Sequence, residues 1–374
     1  MLCDWTDSQQ RLTQGMPAMK IGIVGLPQSG KTTLFNALTG AHGDVGGYHG
    51  EQVALGVVRV PDERLDALAR LAEPSEINPA TVEFDDIGGV FAHLTGAESS
   101  GRAVGALREA DGILMVLRCF ESPFVPALFD RVDPVREYRA MVAELLLADL
   151  EVIEKRLKSI EHDLGRSTAR EALSREKDLL ERCRRAVEDE RDVSTVELRQ
   201  DEEKMLRSYS FLTLKPRLCL LNIGEGQIAG PPRYEELEAL SPPPLAMCAE
   251  LEMQLMELEE EERGVFMEDA GLKELAAGPV VRACYAALGL CSYFTGVGSK
   301  LCAWTVKRGA PAPEAAGEIH TDLEEGFIRA EVISCQDLIA CGGMKEARAA
   351  GKLRMEGRDY RVQDGDVITF HVSK

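Results

Sequence analysis

The sequence predicts a doubly wound α/β fold, interrupted by an antiparallel helical hairpin and followed by a small α+β domain. Three observations carry this. Short β-branched apolar runs alternate with helix-forming stretches up to about residue 135 and again from about 208. A charged, helix-rich stretch over 136–207 separates the two blocks. Beyond about residue 290, short strand-like runs stand between glycine-rich turns.

The first element is Lys20-Ile-Gly-Ile-Val-Gly25, a run that reads as a buried parallel strand. Thr33-Leu-Phe-Asn-Ala-Leu38 then has helical spacing. Further strands are expected at Val53–Val60, Thr81–Asp86, Gly112–Arg118 and Arg217–Asn222. In the intervening stretch, Leu146, Leu150, Ile153, Leu157, Ile160 and Leu164 recur at steps of three and four and make one apolar stripe. Leu173, Leu179, Leu180 and Cys183 supply the facing stripe, and the Gly165–Thr168 break suits a turn with a helix cap. The Arg/Glu alternation on the hairpin reads as salt-bridged surface, with a binding face as the alternative. Glu257–Arg263 reads as an acidic, solvated helix start or surface turn. In the last segment, strands are expected at Leu301–Val306, Phe327–Ile333, Tyr360–Val362 and Val367–Val372, with one short helix at about 344–350. The domain boundaries expected are 19–135 with 208–289, 136–207, and 290–374.

Composition narrows the function. The 45% hydrophobic and 28% charged fractions of the 374 residues are those of a globular protein, and no apolar run approaches a membrane span. No membrane partner is expected. Residues 1–18 lack a basic start followed by an apolar block, so they are set aside as a flexible N-terminal extension, with Met16 and Met19 as alternative starts. The ten scattered cysteines show no zinc spacing and read as reduced thiols in a cytoplasmic protein. A net charge of −20 argues against nucleic-acid binding through the whole surface, and no sequence-specific DNA binding is expected. The local basic stretch Lys345, Arg348, Lys352, Arg354, Arg358 and Arg361 is either a contact patch or a solvated face neutralised by neighbouring acids.

The chemistry concentrates at Gly25-Leu-Pro-Gln-Ser-Gly-Lys-Thr32, a phosphate-loop pattern lying after a strand and before a helix. Its glycines let successive N–H groups, including those of Gln28, Ser29, Gly30 and Thr33, turn toward a polyphosphate. The helix N-terminus adds positive potential. Lys31 is expected to reach the β- and γ-phosphates of ATP or GTP, and the Thr32 hydroxyl to ligate Mg²⁺. Asp86-Ile-Gly-Gly89 ends a strand, where the aspartate would hold Mg²⁺ through water and the Gly89 N–H would sense the γ-phosphate. Asp85 is a competing carboxylate. Lys31 and Gly89 are the candidate catalytic groups. Asn222-Ile-Gly-Glu225 follows a strand where base recognition is expected. A glutamate in place of aspartate fits guanine poorly, which makes adenine plausible. Val90 stands where a Ras-like enzyme orients water with glutamine, and His93 is a nearby polar substitute.

Taken together, these residues resemble the YchF (Obg-like ATPase) family of P-loop nucleotidases from about Lys20 onward. The matching stretches are GIVGLPQSGKTTLFNALTG (22–40), PDERLDAL (61–68), EFDDIGG (83–89), VLRCFE (116–121), SFLTLKP (210–216), HTDLEEGFIRAEVIS (320–334) and AGKLRMEGRDYRVQDGDV (350–367). The resemblance implies a C-terminal ubiquitin-like (β-grasp) TGS domain, association with ribosomes and slow hydrolysis. It also implies a base motif at Asn222 and Glu225, with ATP bound at least as well as GTP and Ile223 against the base. The chain departs from the family in three places. Gln28-Ser29-Gly30-Lys31-Thr32 replaces Asn-Val-Gly-Lys-Ser, Gly50 falls where a switch threonine is usual, and 91–105 rewrites the second switch. Two functions stay open. The favoured one is a slow ATPase/GTPase regulating the ribosome; the other is a catalytically silent nucleotide-binding module acting through its TGS domain and hairpin.

Overall fold

A computed structural model describes residues 19–40, 54–91, 94, 101–125, 128–164, 170–269, 272, 274–298 and 300–373. The N-terminal extension, Gly50, His93, most of the rewritten second switch and the Gly165–Thr168 break lie outside them. The chain forms two compact units, Lys20–Gly56 with Phe84–Ala277, and Val57–Glu83 with Met19 and Gly278–Lys374.

The first unit is built on strands β1 (Lys20–Gly25), β2 (Ala54–Arg59), β4 (Thr81–Asp86), β5 (Gly112–Arg118), β6 (Arg217–Asn222) and β7 (Leu245–Met247), in the order β2-β4-β1-β5-β6-β7. The pairs β1–β5, β5–β6 and β6–β7 are parallel. All seven residues of β5 are buried, as befits a strand covered on both faces. Helix α1 (Lys31–Thr39) follows β1, and α3 (Gly101–Glu109) precedes β5. The strand order reverses at β1, so the loop after it opens on the crevice where doubly wound sheets bind ligands. The expected doubly wound α/β fold is thus present. Sequence reading missed only the three-residue β7.

The hairpin consists of α4 (Pro134–Leu164) and α5 (Arg170–Glu188). Leu146, Ile153, Leu157 and Ile160 of α4 close on Leu179, Leu180 and Cys183 of α5, in the stripes that the spacing predicts, and Val187 joins them. Surface ion pairs bridge the helices, among them Arg156–Glu176 at 2.7 Å and Lys177–Glu161 at 3.1 Å. A short helix α6 (Gln200–Arg207) leads back to β6. After β6 come α7 (Glu235–Glu238), α8 (Ala249–Met256) and the acidic, largely exposed α9 (Glu260–Asp269).

In the second unit, α10 (Ala277–Ala287) leads into β8 (Leu290–Thr295), β9 (Lys300–Lys307), β10 (Phe327–Ser334), β11 (Arg354–Glu356) and β12 (Asp366–Val372). The sheet order is β11-β10-β12-β8-β9 with the first and last of these strands, β8 and β12, side by side and parallel, which is the ubiquitin-like β-grasp arrangement. Helix α11 (Ala312–Ile319) lays Ala312, Ala315 and Ala316 against Tyr293, Val306 and Ile368.

The opposite face is covered by two segments. One is the pair α13 (Cys335–Cys341) and α14 (Met344–Ala349). The other comes from far upstream: Leu65 and Leu68 of α2 (Glu63–Ala72) join Phe294, Leu301, Ile333 and Val367 in one core. Strand β3 (Glu76–Asn78) then adds to the sheet beside β9 in parallel. Arg64 fastens this segment, donating to Asp62 at 2.7 Å and to Asp364 at 3.0 Å.

Sequence reading misses strands β3, β8 and β11 of this unit, and two further expectations fail. Tyr360–Val362 is no strand; it makes only an isolated bridge between Arg361 and Pro311. Besides the expected helix α14, the segment holds α11, α12 (Thr321–Glu325) and α13. Helix α11 escapes the pattern because Pro311 and Pro313 sit at its start, where proline is tolerated, and its buried residues are alanines that give little apolar signal. Three of the six cations of the basic stretch are paired with neighbouring acids, and Arg361 donates to the Gly309 carbonyl. Arg348 pairs with Glu331 at 2.9 Å, Lys352 with Asp337 at 3.1 Å and Arg354 with Glu356 at 3.2 Å, while Arg358 donates to the Phe327 carbonyl.

Candidate nucleotide-binding site

The loop after β1 has the backbone a phosphate cradle needs. Gln28 and Gly30 both lie at positive φ, 65° and 88°, the left-handed conformation that anion-binding backbone nests use. Glycine is required twice. A Cβ at Gly25 would lie 2.6 Å from Ser29 Oγ and 2.7 Å from the Val116 carbonyl. One at Gly30 would overlap the amide nitrogen of Asn222. The loop closes through the Ser29 N–H on the Leu26 carbonyl, at 3.1 Å.

Lys31 begins α1 and reaches back along the loop, its Nζ 3.4 Å from the Leu26 carbonyl. Burial lowers its pKa, against a smaller upward pull from the Asp86 charge. Such a desolvated ammonium is poised for an anion. Thr32 Oγ1 donates to Asp86 Oδ2 at 2.7 Å, so the hydroxyl on α1 and the carboxylate ending β4 come together from 54 residues apart. Asp86 Oδ1 is buried with no hydrogen-bond partner among the described residues. The Thr32 hydroxyl and the Asp86 carboxylate, one of whose oxygens is unsatisfied, are two hard oxygen donors of the kind Mg²⁺ takes. Gly89, exposed at φ 80°, lies three residues beyond, and Val90 is buried in the core at 6% exposure.

Asp85, the competing carboxylate, takes no part in the Thr32 contact. It is 6% exposed, its Oδ1 is unpartnered among the described residues, and burial raises its pKa. A raised folded pKa means that stability is greatest when the group is protonated and falls as pH rises through that value. Asp85→Asn is therefore expected to stabilise the protein by about 1 kcal/mol at pH 7. The gain should vanish toward pH 4, near the ordinary carboxylate value. Thermal melts at the two pH values check this, and a lower melting temperature for the variant at pH 7 would refute it.

Asn222 ends β6 with both ends of its amide engaged. Its Nδ2 donates to the Ser29 carbonyl at 2.9 Å, and its Oδ1 accepts from the Ala249 N–H at 3.2 Å. Asn222 thus ties the phosphate loop to the start of α8. Ile223 is 4% exposed and belongs to the core of this unit. Glu225 opens a short 3₁₀ turn (Glu225–Gln227) and is exposed, while Thr33 lies half-buried on α1.

Two family models match the chain. One, described as a 50S ribosome-binding GTPase, covers residues 20–155; the other, for the C-terminal part of YchF GTPases and described as a protein of unknown function, covers residues 290–373. The Ribosome-binding ATPase YchF of Bacillus subtilis is 37% identical over 363 residues, which span 94% of this chain and 99% of that protein. The chain belongs to the YchF family. A second YchF relative, the Ribosome-binding ATPase YchF of Haemophilus influenzae, is 40% identical over 360 residues, 94% of this chain and 98% of its own. The solved structure of the Schizosaccharomyces pombe YchF GTPase matches with a TM-score of 0.81 at 28% identity, covering 96% of this chain and 99% of that one.

Within this YchF-family chain, sequence reasoning missed two residues beside the site. Arg118, 4% exposed at the end of β5, donates to the Phe120 carbonyl at 3.1 Å and the Val125 carbonyl at 2.7 Å. Its guanidinium stacks over the Phe120 ring at 4.7 Å. The Arg118 N–H in turn donates to the buried Glu137 carboxylate at 3.0 Å, whose pKa burial pushes up to about 7. The signal was available: a charge closing a strand that is otherwise wholly apolar needs buried partners. No helix among the described residues is long and apolar enough to cross a membrane.

Proposed function

We propose that this protein binds a purine nucleoside triphosphate with Mg²⁺ and is a slow ATPase/GTPase of YchF type, acting in the cytoplasm as a ribosome-associated regulator. The observation that carries the reading is the Thr32–Asp86 contact at 2.7 Å beside the unsatisfied Asp86 Oδ1. Thr32 and Asp86 hold the metal, Lys31 and the amides of Gln28 and of Gly30 to Thr33 hold the phosphates while the Ser29 N–H closes the loop on Leu26, and Asn222, Ile223 and Glu225 form the base end. The bound Mg²⁺ would neutralise charge on the transferring phosphoryl group. The curated relatives are named as ribosome-binding ATPases, which supports the partner and the nucleotide. Slow turnover follows from Val90, whose buried hydrocarbon side chain offers nothing to orient an attacking water. The inserted hairpin and a C-terminal TGS domain are the parts that would meet the ribosome.

Single-turnover hydrolysis, with and without ribosomes, tests this. The wild type is expected to exceed a Lys31→Ala control and to gain rate on ribosomes. Equal rates for the two proteins in both conditions would leave a silent nucleotide-binding module. Titration calorimetry is expected to give ATP affinity at least equal to that for GTP; a clear GTP preference would overturn the base assignment to Asn222 and Glu225.

A further inference from the structure

The hairpin is rooted in the nucleotide unit through one buried carboxylate. Asp149 lies midway along α4 with 0% exposure. Its Oδ1 accepts from the Leu212 N–H at 2.9 Å and from Arg108 Nη1 at 3.2 Å. Its Oδ2 accepts from the Thr213 N–H at 2.8 Å and the Thr213 hydroxyl at 2.9 Å. Three of these four donors belong to the 3₁₀ turn Leu212–Leu214 on the return from the hairpin; the fourth does not. Arg108 stands at the C-terminal end of α3, and its guanidinium also donates to the Ala148 carbonyl at 2.8 Å and the Ser210 carbonyl at 3.0 Å. One side chain thereby grips both α4 and the chain returning from the hairpin.

The other face of α3 leads to the nucleotide site. Ala103 and Leu107 pack in one core with Leu26 of the phosphate loop and with Ile87, Val90 and Phe91, the residues that follow Asp86. Lys215 donates to the Arg108 carbonyl at 2.9 Å and also to that of Ala110, fixing the end of the helix. A helix seated on the Asp86–Phe91 turn and fastened at its far end to the hairpin is a rigid connection between the two.

We propose that Arg108 is a latch that couples the nucleotide state, sensed at the Asp86–Phe91 turn, to the root of the hairpin. The inference rests on the nucleotide reading above. When the turn rearranges around a γ-phosphate, α3 shifts as a body, and the fork of Arg108 pulls on Asp149, Ala148 and Ser210 together. Asp149 keeps its three other donors whichever way the latch stands, so the hairpin stays folded in both states. Arg108 is a positioning residue and touches no reacting atom.

Hydrogen–deuterium exchange on the full chain, with Mg²⁺ and a non-hydrolysable ATP analogue or without, tests the latch. In the wild type, the analogue is expected to change exchange at 101–110 and at 206–215. Arg108→Met should keep the first change and shrink the second by about fivefold or more. A purely structural role would instead raise exchange at 206–215 equally in both states. Arg108→Lys retains charge but loses the fork, and should give a partial response; it serves alone should the methionine variant not fold. Variants that respond at 206–215 as the wild type does overturn the proposal, as does a wild type that responds only at 101–110. Dialysis run alongside separates the two failures. A chain retaining no nucleotide sinks both readings, whereas one that binds and leaves 206–215 unmoved sinks the latch alone.

Discussion

Lys31→Ala is expected to weaken Mg²⁺-ATP binding roughly 30- to 150-fold, equivalent to about 2–3 kcal/mol for the loss of charge-assisted hydrogen bonds to phosphate, while the free protein melts no lower than its parent. The two halves have one cause. Burial depresses the pKa of the Lys31 ammonium, and its nearest hydrogen-bonding partner is the Leu26 carbonyl at 3.4 Å. A cation held so poorly in the free protein is a burden on stability and an asset only when phosphate arrives. Calorimetry measures the first half and a thermal melt without nucleotide the second. Binding within threefold of wild type would remove Lys31 from the site.

Gly30→Ala should do more damage, because it strikes the fold and the site together. At φ 88° an alanine is strained by about 1–2 kcal/mol. Its Cβ would also displace the Asn222 amide, breaking the bonds to the Ser29 carbonyl and the Ala249 N–H. Each of these contributes about 1 kcal/mol. The sum, about 3–4 kcal/mol, corresponds to a fall of about 10 °C in melting temperature for a unit of this size. Nucleotide binding should become undetectable by calorimetry. A variant that melts within 2 °C of wild type, on the order of 1 kcal/mol or less, would mean that the loop relaxes around the methyl group and that the Asn222 tie is dispensable.

Much of this was legible beforehand, for reasons that differ by region. The phosphate loop could be read because its chemistry is local: a strand, a turn needing Gly25 and Gly30, and a helix are contiguous in the chain. The hairpin could be read because period and length survive without tertiary help. The Thr32–Asp86 pairing could be expected from motif order alone, since β4 must end beside the loop. What escaped depended on distant partners. Asp149 lies on the apolar stripe between Leu146 and Ile153, where a carboxylate must be buried, yet nothing local names Arg108, Leu212 or Thr213 as its donors. Asn222 was read as a base contact, and its engagement with Ser29 is visible only once β6 stands beside the loop. The alanines of α11 gave no stripe because small residues pack by fit rather than by bulk.

The stretch 57–83 has a bearing on how such a protein could arise and be cut. It leaves the first unit, supplies Leu65, Leu68 and the marginal strand β3 to the ubiquitin-like sheet, and returns in time to deliver Asp86. A gene fragment encoding only the C-terminal hundred or so residues would therefore lack part of its own hydrophobic filling and one rim of its sheet. The two bodies are sewn together by a polypeptide that crosses between them more than once, so neither can be shuffled among genomes as an interchangeable bead. Shedding the tail would expose the underside of a helix that evolved never to meet water.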